Sequence, residues 1–414
     1  MDFSQKLKNY AHLLARRGMN VQEGQIVNIT GELIHRDFIS MVAKEAYACG
    51  AKYVNIDLVD PWHTRMRVLE SANPEYLNYV PEFIPVKFND LVDSQGALLR
   101  LQGSEEPDCC SDLPPDKINA LQMHFRKKLK RYYDEGIGRS KVQWTVAGAA
   151  TPKWGKKVFP ELDEGKAHLA LWEEIFKICR VDTPDFIHRW SNHNSALQLR
   201  AKLLTHLKIK ELQFIGPGTD LKVYLSPIAV FKAGGDISSR GKHYECNIPT
   251  EECFTTPDCR LTTGHATVTR PFLVNGKLIK GLKLVFKEGK IVHFEAEEGY
   301  ETFSAYIHSD ENACKLGEVA LVGIDSPIFQ SGRIFEEILY DENAACHIAV
   351  GFAYRFCLEQ GDQLNDDQLA VLGCNSSCVH TDMMISNEKT NVIATTYTGE
   401  RVLLLQEGVW QKLI

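Results

Sequence analysis

The sequence lacks the basic clusters that mark nucleic-acid-binding proteins. Its 47 basic and 54 acidic residues give a net charge of −7. Phosphate contacts dominate the affinity of proteins for DNA and RNA, so such a partner would require a dense Lys/Arg patch. The most basic stretch, residues 126–131, falls on a predicted helix and is interpreted as a solvated face. We therefore expect no nucleic-acid partner.

Long apolar runs are also missing. No segment approaches the roughly 18–20 consecutive apolar residues that a membrane-spanning helix needs. Residues 1–18 contain no apolar core of the signal-peptide type. We therefore expect a soluble, cytoplasmic protein with no membrane partner.

Cysteine is present, but paired cysteine motifs are absent. Of the 12 cysteines, Cys109 and Cys110 are adjacent, Cys374 and Cys378 are four positions apart, and no CxxC pair occurs. A structural zinc site normally contains paired short spacings. Reduced thiols are the default in the cytoplasm, so we expect these side chains to pack as small apolar groups.

The first 190 residues alternate helix and strand signals. A strand at 25–29, a helix at 34–48 and a strand at 53–58 form the strand–helix–strand unit of a parallel sheet. The other elements predicted here are helices at 4–17, 117–132 and 163–178 and strands at 97–101 and 142–147. We expect residues 1–190 to form an N-terminal α/β domain with a largely parallel sheet.

After about residue 190 the pattern changes to short strands and turns. A helix at 195–207 leads into a strand at 212–215, and Asn275-Gly276 and Glu288-Gly289 are typical hairpin turns. Further strands are predicted at 221–225, 282–286 and 291–295. We expect residues 191–414 to form a C-terminal α+β domain that binds metal and carries the chemistry.

Carboxylates and histidines concentrate in four short segments of this second half. The segments are NIPTEECFTTP at 247–257, LGEVALV at 316–322, YDENAACH at 340–347 and VHTDMM at 379–384. The third segment is predicted to run into an apolar helix that reaches Tyr354. His380 and Asp382 alternate on a predicted strand, so they point to the same face.

Each segment also has an ordinary structural explanation. Glu251 and Glu252 suit the first turn of a helix, and Asp341 suits a helix N-cap. Together, however, three Glu, two His and one Asp are the oxygen and imidazole donors that suit zinc, cobalt or manganese. A buried unpaired carboxylate costs roughly several kcal/mol, which favours a cation beside Glu318. The residues alone leave both interpretations open.

The four segments resemble the signature of the aminopeptidase T family, which includes aminopeptidase S and the PepS enzymes. The family pattern has the form N-x-P-T-E-E-x-F-T, L-G-E-x-A-L-V, D-E-N-A-x-C-H and N-x-S-x-x-H-x-D. This chain has NIPTEECFTT, LGEVALV, DENAACH and NSSCVHTD in the same order. Stretches around Trp172 and before Leu221 are also similar, so the resemblance covers nearly the whole chain. The chain departs from the family at Asp258, where a His is frequent, and at Cys253, where an aliphatic residue is more usual.

The resemblance implies a dinuclear metallo-aminopeptidase that removes N-terminal residues from peptides with a free N-terminus and forms a homodimer. It implies two divalent ions per chain, drawn from zinc, cobalt, manganese and magnesium. Glu318 would bridge the two ions, and Tyr354 matches the active-site tyrosine, whose phenol would donate a hydrogen bond to the developing oxyanion. The implied metal ligands are Glu252, Glu318, Glu342, His347, His380 and Asp382.

Glu251 is the candidate general base beside a water shared by the two ions, which in such sites lie about 3.5–4 Å apart. Adjacent carboxylates on a regular strand point to opposite faces. One can act as ligand and the other as base only on an irregular backbone, which Pro249 and Pro257 permit. Two alternatives stay open: Glu251 orients a histidine ligand, or Glu342 orients His347 instead of binding metal.

Three other functions compete with this interpretation. A phosphoesterase also uses two metals, but no Gly-rich phosphate loop or arginine cluster accompanies the four segments. A non-catalytic binding protein of the same fold would be expected to have lost a ligand. A nucleotide-binding protein would need a GxGxxG or Walker segment, and the sequence has neither.

Overall fold

The computed structural model describes residues 1–412, which form a mixed α/β structure. The chain makes two compact units: the first comprises Met1–Ser195 and Gly234–Thr250, and the second comprises Ala196–Ala233 and the residues from Glu251 onward. The domain division at residue 190 stays a prediction. Across residues 1–412, every helix is too short or too polar to cross a membrane.

Twelve α-helices occur in residues 1–412 and are numbered α1 to α12 in chain order. Their bounds are Phe3–Leu13, Arg36–Ala48, Pro61–Glu70, Phe83–Asp93, Pro115–Lys128, Pro152–Val158, Glu164–Ile178, Phe186–His206, Tyr300–Ile307, Pro327–Gln330, Ile338–Asp341 and Asp366–Val371. Shorter turns are π-helical at Leu14–Gly18 and Tyr132–Ile137, and 3₁₀-helical at Leu33–His35, Pro74–Asn78, Glu342–Ala344, Arg355–Cys357 and Gly361–Gln363.

The same residues contain 21 β-strands, numbered β1 to β21 in chain order. Their bounds are Ile26–Glu32, Tyr53–Val59, Ala97–Gln102, Gln143–Gly148, Ile209–Gly216, Thr219–Tyr224, Asp236–Ile237, His243–Tyr244, Asn247–Ile248, Cys253–Thr255, Thr263–Thr267, Phe272–Val274, Lys277–Ile279, Lys283–Lys287, Lys290–Glu295, Leu316–Leu321, His347–Gly351, His380–Met384, Asn391–Thr396, Arg401–Gln406 and Val409–Trp410.

The first unit is built on a five-stranded parallel sheet in the order β2-β1-β3-β4-β9. Helix α2 is the crossover between β1 and β2, and the chain turns after it at Gly50, which has a positive φ of 93°. Such a φ is accessible to glycine without steric cost. The predicted parallel α/β character of this region is confirmed.

Helices α3 and α4 were not predicted from the sequence. Helix α3 begins where Asp60 accepts a hydrogen bond from the backbone N–H of Trp62 (2.9 Å), and Pro61 occupies its first turn. The apolar residues Trp62, Met66 and Leu69 of this helix are exposed. A helix with its apolar residues in water lacks the usual inward-facing periodicity, so the sequence pattern does not reveal it.

The second unit contains an eight-stranded antiparallel sheet, β15-β14-β11-β6-β5-β19-β20-β21, and a four-stranded antiparallel sheet, β10-β16-β17-β18. One apolar core includes residues of both sheets, among them Phe214, Leu284, Ile348 and Met383. This antiparallel α+β architecture agrees with the predicted fold class.

One element of the four-stranded sheet differs from the prediction. Residues 347–351 form strand β17 rather than the predicted start of a helix reaching Tyr354. The run His-Ile-Ala-Val-Gly is buried at every position. A short, continuously apolar run does not distinguish a buried strand from a buried helix by periodicity, and here pairing with β16 and β18 selects the strand.

Candidate metal centre

Strands β16, β17 and β18 place two carboxylates in one cross-strand row. Glu318 lies opposite Ala349, and Ala349 lies opposite Asp382. Residues directly opposite one another in a sheet point to the same face. The methyl group of Ala349 is therefore the only side chain between the two carboxylates along this row.

Two histidines join the same face by strand alternation. His347 is two residues from Ala349 on β17, and His380 is two residues from Asp382 on β18. Side chains two positions apart on a strand lie on one face. The predicted common face of His380 and Asp382 is thereby confirmed.

The position of Glu318 depends on an irregularity in β16. The pairing register shifts between Leu316 and Glu318, so Gly317 sits in a bulge. A β-carbon at Gly317 would lie 2.2 Å from the backbone oxygen of Phe352, closer than real contacts allow. Only glycine fits at this place, and the bulge re-aims the side chain of Glu318.

Glu251 and Glu252 lie outside regular secondary structure, immediately before β10 begins at Cys253. Both side chains are buried. The backbone at this point is irregular and is flanked by Pro249 and Pro257. Such a backbone allows the two neighbouring carboxylates to take different roles.

The ligand-type atoms form two groups that share one residue. Glu252, Glu318 and His347 bring ligand atoms within 4.8 Å of one another, and so do Glu318, His380 and Asp382. Glu318 Oε1 lies 3.8 Å from Nε2 of His347, and its Oε2 lies 3.7 Å from Nε2 of His380. The two oxygens of a single carboxylate thus face different imidazoles.

Asp382 and Glu252 complete the arrangement. Asp382 Oδ1 lies 3.8 Å from Nε2 of His347 and 3.7 Å from Nε2 of His380. Glu252 Oε2 is buried and lies 3.1 Å from Nε2 of His347, and among the described residues it accepts no hydrogen bond from any other group. A buried polar atom of this kind is stabilised by a cation.

Backbone carbonyls set the orientation of both imidazoles. Nδ1 of His347 lies 3.2 Å from the oxygen of Ala345, and Nδ1 of His380 lies 2.8 Å from the oxygen of Phe352. A carbonyl oxygen only accepts, so Nδ1 carries the proton in both rings. In the neutral imidazole this leaves the lone pair on Nε2, directed at the carboxylates, which is the usual arrangement of a metal-binding histidine.

The electrostatics of the cluster favour a bound cation. Burial raises the pKa of Glu318 to about 7; His347 lowers it, while the charges of Glu252 and Asp382 raise it further. Burial alone lowers the pKa of His347, but the carboxylates of Glu252 and Glu318 raise it well above its ordinary value. Protons or divalent cations can balance this excess of negative charge, and the donor set of carboxylates and imidazoles suits a divalent metal.

Glu342 lies outside the two groups of ligand atoms but within their electric field. Its carboxylate is buried, and burial together with the charges of Asp382 and Glu252 raises its pKa well above the ordinary value. Its Oε1 accepts a hydrogen bond from Nδ2 of Asn343 at 3.3 Å.

The neighbouring Asp341 takes a structural role. Its carboxylate accepts hydrogen bonds from the guanidinium of Arg270 (3.2 Å) and from the backbone N–H of Phe335 (3.1 Å). Burial raises its pKa to about 6, although Arg270 and the backbone N–H donors lower it. Asp341 stands at the N-cap position of the 3₁₀ turn Glu342–Ala344, as the sequence suggested, but its side chain makes no capping hydrogen bond and pairs with Arg270 instead.

Tyr354 lies beside the imidazole of His380, with ring centroids 5.4 Å apart. Its ring also stacks on Phe356 at 5.0 Å and 27°. Its backbone oxygen accepts a hydrogen bond from Thr256 at 2.8 Å. The half-buried phenol is thus held at the edge of the cluster.

Comparisons with known proteins identify the family. Residues 3–410 match the sequence pattern of the family described as “Thermophilic metalloprotease (M29)”. “Aminopeptidase PepS” from Streptococcus thermophilus is 34% identical over 411 residues, covering 99% of this chain and 98% of that relative. “Aminopeptidase AmpS” from Bacillus subtilis (strain 168) is 36% identical over 408 residues, covering 99% of both. The solved structure “Wild-type AmpT from Thermus thermophilus” matches with a TM-score of 0.90 and 34% identity, over 99% of this chain and 100% of that one.

A buried cluster of carboxylates with imidazole Nε2 atoms directed at it is a donor set that metal-dependent hydrolases use. The chain belongs to the thermophilic metalloprotease family, and the match covers residues 3–410. It is a metallo-aminopeptidase, a hydrolase of peptide bonds that uses a divalent metal. The predicted family, fold class and enzyme class are confirmed.

Proposed function

We propose that the chain hydrolyses the N-terminal residue from peptides at a site for two divalent ions. The ligands in this proposal are Glu252, Glu318, Glu342, His347, His380 and Asp382. Two ions at such a site supply an activated water at neutral pH and polarise the scissile carbonyl. Zinc, cobalt, manganese and magnesium all accept carboxylate-rich sites, so any of the four is compatible with the donor set.

The sharing of Glu318 between the two groups of ligand atoms carries the proposal. One carboxylate oxygen faces His347 and the other faces His380. Glu252, His347 and one oxygen of Glu318 would hold one ion, and His380, Asp382 and the other oxygen of Glu318 would hold the second. The buried Oε2 of Glu252, which lies beside Nε2 of His347, supports a cation on the first side.

Glu251 is proposed as the general base. It adjoins Glu252 on an irregular backbone, and its own backbone N–H is anchored to Oδ1 of Asn343 at 2.6 Å. Its carboxylate would accept a proton from the attacking water and return it to the leaving amine. General-base assistance of this kind contributes typically about 10²–10⁴-fold in rate.

Tyr354 is proposed as the donor to the oxygen that becomes negative in the tetrahedral intermediate. Its ring is held between Phe356 and the imidazole of His380, so the phenol has few rotational choices. A donor that is preorganised for developing charge lowers the barrier without reorganisation during the reaction.

The substrate and the assembly are proposed from the relatives. The printed names of the relatives describe aminopeptidases, which supports a peptide with a free N-terminus as substrate. We also propose a homodimer and a cytoplasmic location. The 12 cysteines, all within the described residues, form no disulfide, which supports a reducing compartment.

Metal analysis combined with activity assays tests this function. The purified protein should contain about two divalent ions per chain. It should hydrolyse Leu- and Arg-amide substrates, lose that activity on chelation and regain it when zinc or cobalt is restored. N-terminally acetylated substrates should not be cleaved. Activity on p-nitrophenyl phosphate without activity on amino-acid p-nitroanilides would instead identify a phosphoesterase.

A further inference from the structure

Asn343 connects two of the residues to which the proposed function assigns roles. Its Oδ1 accepts a hydrogen bond from the backbone N–H of Glu251 at 2.6 Å. Its Nδ2 donates to Oε1 of Glu342 at 3.3 Å and to the backbone oxygen of Leu339 at 2.9 Å. All these groups lie within the second compact unit.

The hydrogen-bond partners determine the orientation of the amide. The N–H of Glu251 can only donate, so the atom facing it is the oxygen of Asn343. The carbonyl of Leu339 can only accept, so the atom facing it is the nitrogen. Both hydrogens of Nδ2 and the oxygen are therefore used, and no other side chain of this size supplies an acceptor and two donors in a plane.

Asn343 is inaccessible to solvent, with 0% of its surface exposed. Water therefore cannot replace its hydrogen bonds when the amide is removed. Its backbone is also anchored, because Oγ of Ser326 donates to its carbonyl oxygen at 2.6 Å. Removing the amide would leave the N–H of Glu251 and the carbonyl of Leu339 without this partner in a buried place.

We infer that Asn343 is a positioning residue that fixes the backbone of Glu251 and the carboxylate of Glu342 relative to one another. This inference rests on the proposed roles of Glu251 as base and Glu342 as ligand. Residues 251 and 342 are distant in sequence, so the amide supplies a direct tether between the two segments. Partners that orient metal ligands typically contribute about 10–100-fold to metal affinity or activity.

Two substitutions distinguish the contribution of the amide oxygen, which accepts from Glu251, from that of the amide nitrogen, which donates to Glu342. Asn343→Asp keeps an oxygen for the N–H of Glu251 but replaces the donor to Glu342 with a carboxylate oxygen. Asn343→Ala removes both. The metal affinity of each folded variant is measured by competition with a chromogenic chelator, and kcat and KM are measured at saturating metal.

We expect both variants to bind metal at least about tenfold more weakly, because both lose the donor to Glu342. At saturating metal, Asn343→Ala should lose kcat by at least about tenfold with little change in KM, because Glu251 is no longer anchored. Asn343→Asp should retain most of its kcat. Hydrogen exchange at the Glu251 amide, a readout independent of activity, should accelerate in Asn343→Ala and stay slow in Asn343→Asp.

The chain offers a matched control in the first unit. Asn194 donates from Nδ2 to Oε1 of Glu245, another buried carboxylate. Asn194→Asp therefore also places a carboxylate oxygen next to a buried glutamate, and it should lower the free energy of unfolding. It should leave metal affinity and kcat per folded molecule at wild-type values.

One reference variant, Glu342→Gln, keeps this inference distinct from the proposed function. Wild-type metal affinity in Glu342→Gln overturns the ligand role of Glu342, whatever the Asn343 variants do. A different result would overturn the positioning role alone. In that case Glu342→Gln loses metal affinity, while Asn343→Ala keeps the wild-type metal affinity, kcat and rate of hydrogen exchange at the Glu251 amide. Equal effects of Asn343→Asp and Asn194→Asp on metal affinity also overturn it, because the amide would then have only a general structural effect.

Discussion

Glu318 and Asp382 lie in one row across three strands, and the methyl group of Ala349 stands between them. The small side chain leaves room above the row, where the imidazoles of His347 and His380 converge. Ala349 itself is fully buried. The space for the proposed ions is therefore created as much by the smallest side chain of the row as by its ligands.

Enlarging this side chain should destroy the site while the fold persists. In Ala349→Val the added methyl groups occupy the space between the two carboxylates. We expect reduced metal content by elemental analysis and a loss of kcat/KM of about 100-fold or more, since a misplacement of about 1 Å can cost this much. Circular dichroism should show the wild-type content of secondary structure.

The same substitution in the core of the eight-stranded sheet is the control. Ala394 on β19 is also fully buried, but its neighbours are apolar. Ala394→Val should cost about 1–3 kcal/mol of stability through overpacking. It should keep full metal content and turnover per folded molecule. Two bound ions and normal turnover in Ala349→Val would contradict the placement of the site above this row.

Replacing the proposed base should separate metal binding from catalysis. Glu251→Gln preserves the size of the side chain and the backbone hydrogen bond to Asn343 but removes the proton acceptor. We expect unchanged metal content and a kcat at least about tenfold lower, since general-base assistance typically contributes about 10²–10⁴-fold. Elemental analysis and steady-state kinetics on a Leu-amide substrate measure both quantities.

The adjacent residue gives the contrasting result. Glu252→Gln removes a proposed ligand, so it should lower metal content as well as turnover. Wild-type turnover in Glu251→Gln rejects its role as base. If the two variants behave alike in metal content, the division of roles between the neighbouring carboxylates is wrong.

Removing one hydroxyl should reveal the role of Tyr354. Tyr354→Phe keeps the ring contacts with Phe356 and His380 but loses the donor to the developing oxyanion. We expect kcat to fall by about 10²–10³-fold with nearly constant KM, as for removal of an oxyanion donor. Tyr397→Phe, which removes the hydroxyl that donates to the oxygen of Leu225, should leave kcat unchanged. Comparable losses in both variants would point to a general structural effect.

A buried carboxyl of the first unit should make stability depend on pH. Burial raises the pKa of Glu245 from 4.5 to about 8, although Trp190, Asn194 and Arg17 act to lower it. The folded state therefore holds a proton that the unfolded state releases between these two values. Stability contributed by this proton is present at acid pH and is lost as the pH rises towards 8, by up to about 1.4 kcal/mol per pH unit.

Glu245→Gln removes this dependence, because its side chain stays neutral. We expect the variant and the wild type to differ little in unfolding midpoint near pH 5, and the variant to be the more stable near pH 9. Urea unfolding of chelated protein across this range measures the difference. Parallel profiles for wild type and Glu245→Gln would show that Glu245 does not hold the proton.

Local sequence patterns predicted the regular parts of the fold. Strands β1 to β4 lie within a few residues of the predicted bounds, because short runs rich in apolar residues between helical patterns indicate strands. The patterns failed at α3, whose apolar side chains face water, and at β17, whose buried run has no periodicity. In both cases long-range packing rather than local preference decides the conformation.

The candidate site was only partly visible in the sequence. The resemblance named the carboxylates and histidines, but physical reasoning alone left metal and structural interpretations open. Asn343 was present in the quoted DENAACH segment, yet its type suggested no role. Its two hydrogen bonds to the proposed machinery depend on where the segment before β10 runs, which no local pattern encodes.

The sequence by itself determined the chemistry: oxygen and imidazole donors in an order shared with one metalloprotease family, and the glycine that a bulge at residue 317 requires. Only the tertiary structure decided that the two oxygens of Glu318 face different histidines and that Nδ1 of each ring donates a hydrogen bond to a backbone carbonyl. The reason is that side-chain direction follows strand register, and a register slip of one residue turns every side chain to the opposite face. Register is set by pairing between segments that are far apart in the chain.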